Sequence, residues 1–198
     1  ELNIVLHPTQ TRVQSLMHLR PNAHGAAPAP IVFDGDGLRL ISVKLDGAAL
    51  PPESFTASAE RLTIPQPPPG PCRIEIETEI DPSANTQLMG LYRSNRTYCT
   101  QCEAEGFRRI TYFPDRPDVM AVYTTRIEAD RREAPMLLAN GNQIEAGDIA
   151  GTDRHYAVWH DPFPKPSYLF ALVGGDLACV RDTFTTRSGR DVALRIYV

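Results

Sequence analysis

The residues with the most chemistry to offer stand close together. The run Cys99-Thr-Gln-Cys-Glu-Ala-Glu-Gly-Phe-Arg108 holds two thiols, an amide and two carboxylates, and Arg109, Asp115, Arg116 and Asp118 follow soon after. A plain turn between strands needs Gly, Pro, Asn or Asp and none of this, so the cluster reads as a binding loop. Gln101 and Glu103 form the sharpest pair. A carboxylate supplies the countercharge for an ammonium group, and a neighbouring amide oxygen accepts a second N–H. The plainer reading makes Glu103 and Glu105 surface acids matched to Arg108, Arg109 or Arg116. Cys99 and Cys102 have the spacing of half a structural zinc site or of a redox pair. Such a zinc site needs two more ligands, usually a second close pair, whereas Cys72 and Cys179 are single and remote. A thioredoxin-type pair needs a βαβ setting, which the surrounding pattern lacks. The five His show no ligand spacing. His7, His18 and His155 fall in strand patterns and His24 and His160 near turns, so all read as structural or surface groups.

The elements that must carry this loop read as β-strands. Ile74, Ile76 and Ile80 face one way and Glu75, Glu77 and Glu79 the other, the period of a half-buried strand. Val13, Ser15, Met17 and Leu19 form a second such set. Leu38, Leu40, Val43 and Leu45 form a third, whose phase breaks at Ile41-Ser42 as a bulge would break it. Residues 120–128, 136–138, 154–159 and 168–173 add further strands. The runs 180–186 and 191–198, with Ser188-Gly189 between them, read as a hairpin. Turn signals recur at 34–37, 46–47, 67–71 and 140–142. Gly35-Asp-Gly37 stays a turn, because no helix follows as a phosphate loop requires. A helical period is sustained nowhere, and short helical turns are expected near residues 82–88 and 104–107. The pattern predicts an all-β domain, most simply two packed antiparallel sheets with few short helices.

The 198 residues fit one large β domain, or one domain plus a fragment of another, and a hydrophobic content of 42% is enough for a core. Eighteen Pro and 13 Gly suit short strands with frequent turns. A net charge of -4 without a clustered basic face argues against a nucleic-acid partner. No apolar run approaches the ~20 residues of a membrane span, so no membrane partner is expected. Four scattered Cys are too few for a disulfide scaffold and read as free thiols in a reducing, cytoplasmic compartment. The chain opens at Glu1 inside a strand pattern rather than at Met, which reads as a trimmed start and leaves targeting unread.

The stretch 99–119 resembles the N-terminal domain of the aminopeptidase N family of zinc-dependent gluzincin metallopeptidases, in its proteobacterial form. Leu88-Met-Gly-Leu-Tyr92, Trp159-His-Asp-Pro-Phe-Pro-Lys-Pro166 and Arg181-Asp-Thr-Phe-Thr-Thr-Arg-Ser-Gly-Arg190 extend the likeness over residues 88–198, while residues 1–87 agree in pattern only. The resemblance implies a saddle-like, β-sandwich-type domain at residues 1–177. Residues 178–198 would be a β-hairpin leading into a thermolysin-like catalytic domain of the same polypeptide. It implies that Glu103 binds the free α-amino group of a peptide substrate, that Gln101 helps line the pocket for the first side chain, and that a non-proline cis peptide bond follows Glu103. The family's Gly-x-Met-Glu-Asn segment and His-Glu-x-x-His zinc site do not occur in this sequence. The implied parent is therefore a zinc-dependent aminopeptidase whose zinc and catalytic residues lie outside this chain, and this chain alone is expected to bind no zinc and to be inactive. Two other readings stand beside it: a β-sandwich binding or adaptor module without a catalytic partner, and a thiol-based zinc or redox protein.

Overall fold

The computed structural model describes residues 1–22 and 29–198 of the chain; His24 lies outside the described residues. The fold is all-β. Its largest sheet has eight strands in the spatial order Asn142–Asp148, Arg154–Lys165, Ala121–Asp130, Leu2–Val5, Thr11–Leu19, Cys72–Ile80, Arg39–Leu45 and Ala48–Ala49. A four-stranded sheet runs Met136–Ala139, Leu172–Gly175, Thr97–Gln101 and Gly90–Ser94. A three-stranded sheet joins Ile31–Asp34, Arg61–Ile64 and Thr56–Ala57, and a separate hairpin joins Cys179–Thr185 to Asp191–Tyr197. The pairing is antiparallel except where Leu2–Val5 lies parallel to Ala121–Asp130. The expectation of an all-β, sheet-on-sheet domain is borne out.

Alternation builds the core. Ile74, Ile76 and Thr78 are buried, while Glu75, Glu77 and Glu79 point outward to Lys44, Arg12 and Arg39 at 3.3, 3.1 and 2.7 Å. Each fully buried Ile contributes about 1.5–3 kcal/mol of transfer free energy, whereas an exposed ion pair contributes about 0–1 kcal/mol. The inward row therefore holds the strand both in place and in register, since a one-residue slip would turn it to solvent. The core runs from Ile4, Val13 and Ile76 of the large sheet to Phe33 and Leu62 of the three-stranded sheet and to Leu91, Tyr98 and Leu172 of the four-stranded one. The expected bulge is present, as a register shift between Leu40 and Ser42 against Cys72–Ile80.

Several local expectations need correction. Residues 168–173 do not form one strand: Ser167–Leu169 is a 3-10 turn and the strand is Leu172–Gly175. The Asn140 side chain takes the Ala171 N–H at 2.7 Å and donates to the Leu169 carbonyl at 3.1 Å, so an amide satisfies backbone groups that a ladder would otherwise pair. The strand read as 154–159 continues to Lys165, and His160 lies within it while His7 lies beyond the first strand. Pro162 and Pro164 are tolerated there because the register shifts between Ala121 and Tyr123, so neither proline owes the ladder an N–H. Residues 82–88 form turns, and the short helix expected at 104–107 is the 3-10 turn Phe107–Arg109.

The terminal hairpin differs from the rest. None of its residues belongs to the core. Its register places Val180 opposite Ile196 and Phe184 opposite Val192 on one face. On that face Phe184 and Ile196 are 58% and 62% exposed, so an apolar surface stands uncovered among the described residues.

Candidate functional site

The strand Thr97–Gln101 ends at the polar loop and aims it. Thr100 fixes the strand end on its neighbour: its Oγ1 donates to the Leu172 carbonyl at 3.1 Å and accepts the Leu172 N–H at 2.8 Å. The chain then alternates between anchor and exposure. Cys102 is buried, Glu103, Ala104 and Glu105 are exposed, and Gly106 and Phe107 are buried again. Phe107 is wedged edge-on against Phe113, Phe170 and Tyr123, with centroids 4.9, 5.2 and 6.0 Å away. The Gly106 N–H closes the turn on the Cys102 carbonyl at 2.8 Å. Three residues thus hang between two buried pins, and Glu103 is the first of them.

Both predicted site residues lie at this loop. Gln101 is exposed at the strand end, and its Nε2 donates to the Glu103 carbonyl at 3.3 Å, which leaves its Oε1 able to accept. The peptide bond between Glu103 and Ala104 is cis. The surface-acid reading divides cleanly between the two glutamates. Glu105 pairs with Arg108 at 3.4 Å, Arg109 goes to Asp36 at 2.5 Å and Arg116 to Asp118 at 2.8 Å. None of these cations engages Glu103, and no ion pair holds its carboxylate among the described residues.

Of the two loop thiols, Cys102 is buried in the core and Cys99 is half-buried. Burial pushes the Cys102 thiol up to about 12, with the nearby Asp115 carboxylate adding to the effect, and burial also raises Cys99. All four Cys are free. Zinc, which the resemblance implies for the parent, does not fit the residues present. Among the described residues no three His, Cys, Asp or Glu side chains gather where they could hold a metal ion. An open polar cavity of about 500 Å³ adjoins the loop on the Glu105 side, lined by Asp34, Asp36, Glu60, Gln87, Arg108 and Arg109. A second cleft, about 490 Å³, lies on the outer face of the large sheet, where Lys44, Glu75, Glu77 and Arg126 line it.

Sequence reasoning gave no role to Asp115 or Ser167, yet both stand behind the loop. Asp115 Oδ2 accepts Arg108 Nε at 2.9 Å and the Arg108 backbone N–H at 3.2 Å, while Ser167 donates to Oδ1. Asp115 is a visible acid in the polar cluster; Ser167, 52 residues away, carries no local signal at all.

The profile of the peptidase M1 N-terminal domain matches residues 3–169. This chain belongs to that family. It is 53% identical over 193 residues to the aminopeptidase N of Caulobacter vibrioides, an alignment covering 98% of this chain and 22% of the relative. Against the aminopeptidase N of Escherichia coli it is 51% identical over 177 residues, covering 88% of this chain and 20% of the relative. The chain therefore spans about a fifth of the length of these curated relatives. In structure it is similar to Legionella pneumophila aminopeptidase A, crystallised with aspartic acid, at a TM-score of 0.89 and 34% identity over 99% of this chain and 23% of that one. The fold also matches an M1 zinc metallopeptidase of Deinococcus radiodurans at a TM-score of 0.77 and 18% identity, over 98% of this chain and 45% of that one. No helix among the described residues is long and apolar enough to cross a membrane.

Proposed function

We propose that this chain is the substrate-contacting part of a zinc-dependent aminopeptidase, in which Glu103 binds the α-ammonium of a peptide and Gln101 helps line the pocket for its first side chain. One observation carries the reading: Glu103 is held out between the buried Cys102 and Phe107 with no ion pair among the described residues, while Glu105, Asp36, Asp115 and Asp118 each have an Arg partner. An ammonium is the partner such a carboxylate lacks, and the Gln101 amide oxygen would take a second N–H. A free amino terminus is what distinguishes an exopeptidase substrate from the middle of a chain. A blocked one would leave Glu103 uncompensated once water is excluded, at a cost of roughly 1–3 kcal/mol or more.

Zinc and the groups that cut the bond belong, in this reading, to a catalytic domain of the same polypeptide beyond residue 198. Residues 1–177 form the N-terminal domain, and residues 178–198 form the hairpin that leads into the catalytic one. The uncovered apolar face around Phe184 and Ile196 supports that division, since a soluble single domain rarely leaves such a face bare. A cytoplasmic site of action goes with the four free thiols. The test is an assay of the full-length polypeptide and of this chain on an alanyl arylamide with zinc present. The full-length protein should release the arylamine and this chain should not; release by this chain alone would overturn the proposal.

A further inference from the structure

We propose that Asp115 is a positioning residue for the Glu103 carboxylate. The inference rests on the reading of Glu103 as an ammonium clamp and extends it to what holds the clamp still. The Glu103 loop leaves the four-stranded sheet at Gln101 and returns to the body at Phe107 and Arg108. Its departure point is fixed by pairing of Thr97–Gln101 with Leu172–Gly175 and by the Thr100–Leu172 bonds. Its return point is held by the buried Phe107 and, at the next residue, by Asp115. The carboxylate takes both the backbone N–H and the Nε of Arg108, and the Asp115 carbonyl takes Arg108 Nη2 at 3.1 Å. The other carboxylate oxygen accepts from Ser167, in the turn directly before Leu172–Gly175.

The contacts close a ring. It runs from Gln101 through the loop to Arg108, across Asp115 to Ser167, and along Leu172–Gly175 back to the strand that ends at Gln101. Asp115 joins the loop's return at Arg108 to the turn at Ser167 that leads into Leu172–Gly175, the strand paired with the one that launches the loop. Its side chain is 1% exposed, so solvent does not compete for its bonds. Arg108 in turn reaches Glu105 inside the loop at 3.4 Å and Asp34 outside it at 4.0 Å. Releasing Arg108 would leave Phe107 as the remaining pin at the return end and let Glu103 shift relative to the sheet. A displacement of about 1 Å at a binding group is enough to cost about 10²-fold in function.

A purely structural role for Asp115 would lower thermal stability and the fraction of active protein, but leave the substrate affinity of folded molecules alone. A positioning role moves KM. The experiment is steady-state kinetics of the full-length polypeptide on an alanyl arylamide, with rates normalised to folded protein. Asp115→Asn should raise KM about tenfold and change kcat by less than about threefold. Ser167→Ala, which removes one bond of the ring and leaves Arg108 paired, should raise KM about threefold. Glu103→Gln is measured alongside. A raised KM there, with unchanged KM in Asp115→Asn and Ser167→Ala, would overturn the positioning role and leave the clamp standing. Unchanged KM in Glu103→Gln would remove the clamp, and the role of Asp115 with it. If Asp115→Asn fails to fold, Ser167→Ala decides alone: a raised KM supports positioning and an unchanged one refutes it.

Discussion

Gly106 shows how tightly the residues around Glu103 are set. A Cβ at this position would lie 2.3 Å from the Gln101 carbonyl oxygen, 2.9 Å from the Cys102 Cα and 3.0 Å from the Gly90 nitrogen. All three are backbone atoms, so no side chain can swing aside to make room. Gly106→Ala should cost about 2 kcal/mol or more, a fall of roughly 5 °C in the Tm of this chain. Thermal denaturation checks it, and a Tm equal to that of the parent sequence would show that the loop has slack. At this scale the sequence is legible where chemistry is written in the residue type. Gln101 and Glu103 stand out as an amide beside an acid, whatever the fold. Asp115 stands out as an acid but not as a tether, and Ser167 not at all, because their meeting depends on a contact 52 residues long. Gly106 is equally mute: a glycine in a loop suggests a turn, and only the backbone packed against it shows that nothing larger fits.

Elements are legible where one face is wet and the other dry. Cys72–Ile80 reads directly as a strand because Ile and Glu alternate, and the structure buries Ile74 and Ile76 while Glu75 and Glu77 stay outside. The bulge at Leu40 to Ser42 is visible for the same reason, since one extra residue flips the phase of every side chain that follows. Legibility fails where side chains take over the work of the backbone. Asn140 satisfies the backbone of residues 169 and 171, so an apolar run that looks like one strand is a turn followed by a strand. Pro162 and Pro164 hide the length of Arg154–Lys165, because prolines ordinarily end a ladder and here fall in a register shift. The parallel pairing of Leu2–Val5 with Ala121–Asp130 joins residues more than a hundred positions apart, and nothing local announces it.

The whole molecule carries its own prediction, in alkali. Burial pushes the Tyr98 phenol and the Cys102 thiol up to about 12 and Tyr123 higher still, from ordinary values of 10.0 and 9.0. Folded values above unfolded ones mean that the unfolded chain gives up these protons first. The stability they contribute is therefore complete below about pH 9 and is lost as pH rises through the folded values, at up to about 1.4 kcal/mol per pH unit for each group. The Tm of this chain should stay level to about pH 9 and fall steadily above it. A Tm level to about pH 11 would contradict the burial of these three groups. The same core underlies the β body and the pinned loop at one sheet end, while the terminal hairpin adds nothing to it. That body is the frame that, in the proposed reading, holds the Glu103 carboxylate toward a substrate. The most direct test of that carboxylate is the catalytic efficiency of Glu103→Gln in the full-length polypeptide on an alanyl arylamide. Loss of a charged hydrogen bond to the substrate ammonium predicts a fall of about 100-fold in kcat/KM, carried mainly by KM; an efficiency equal to that of the unmodified enzyme would contradict the account.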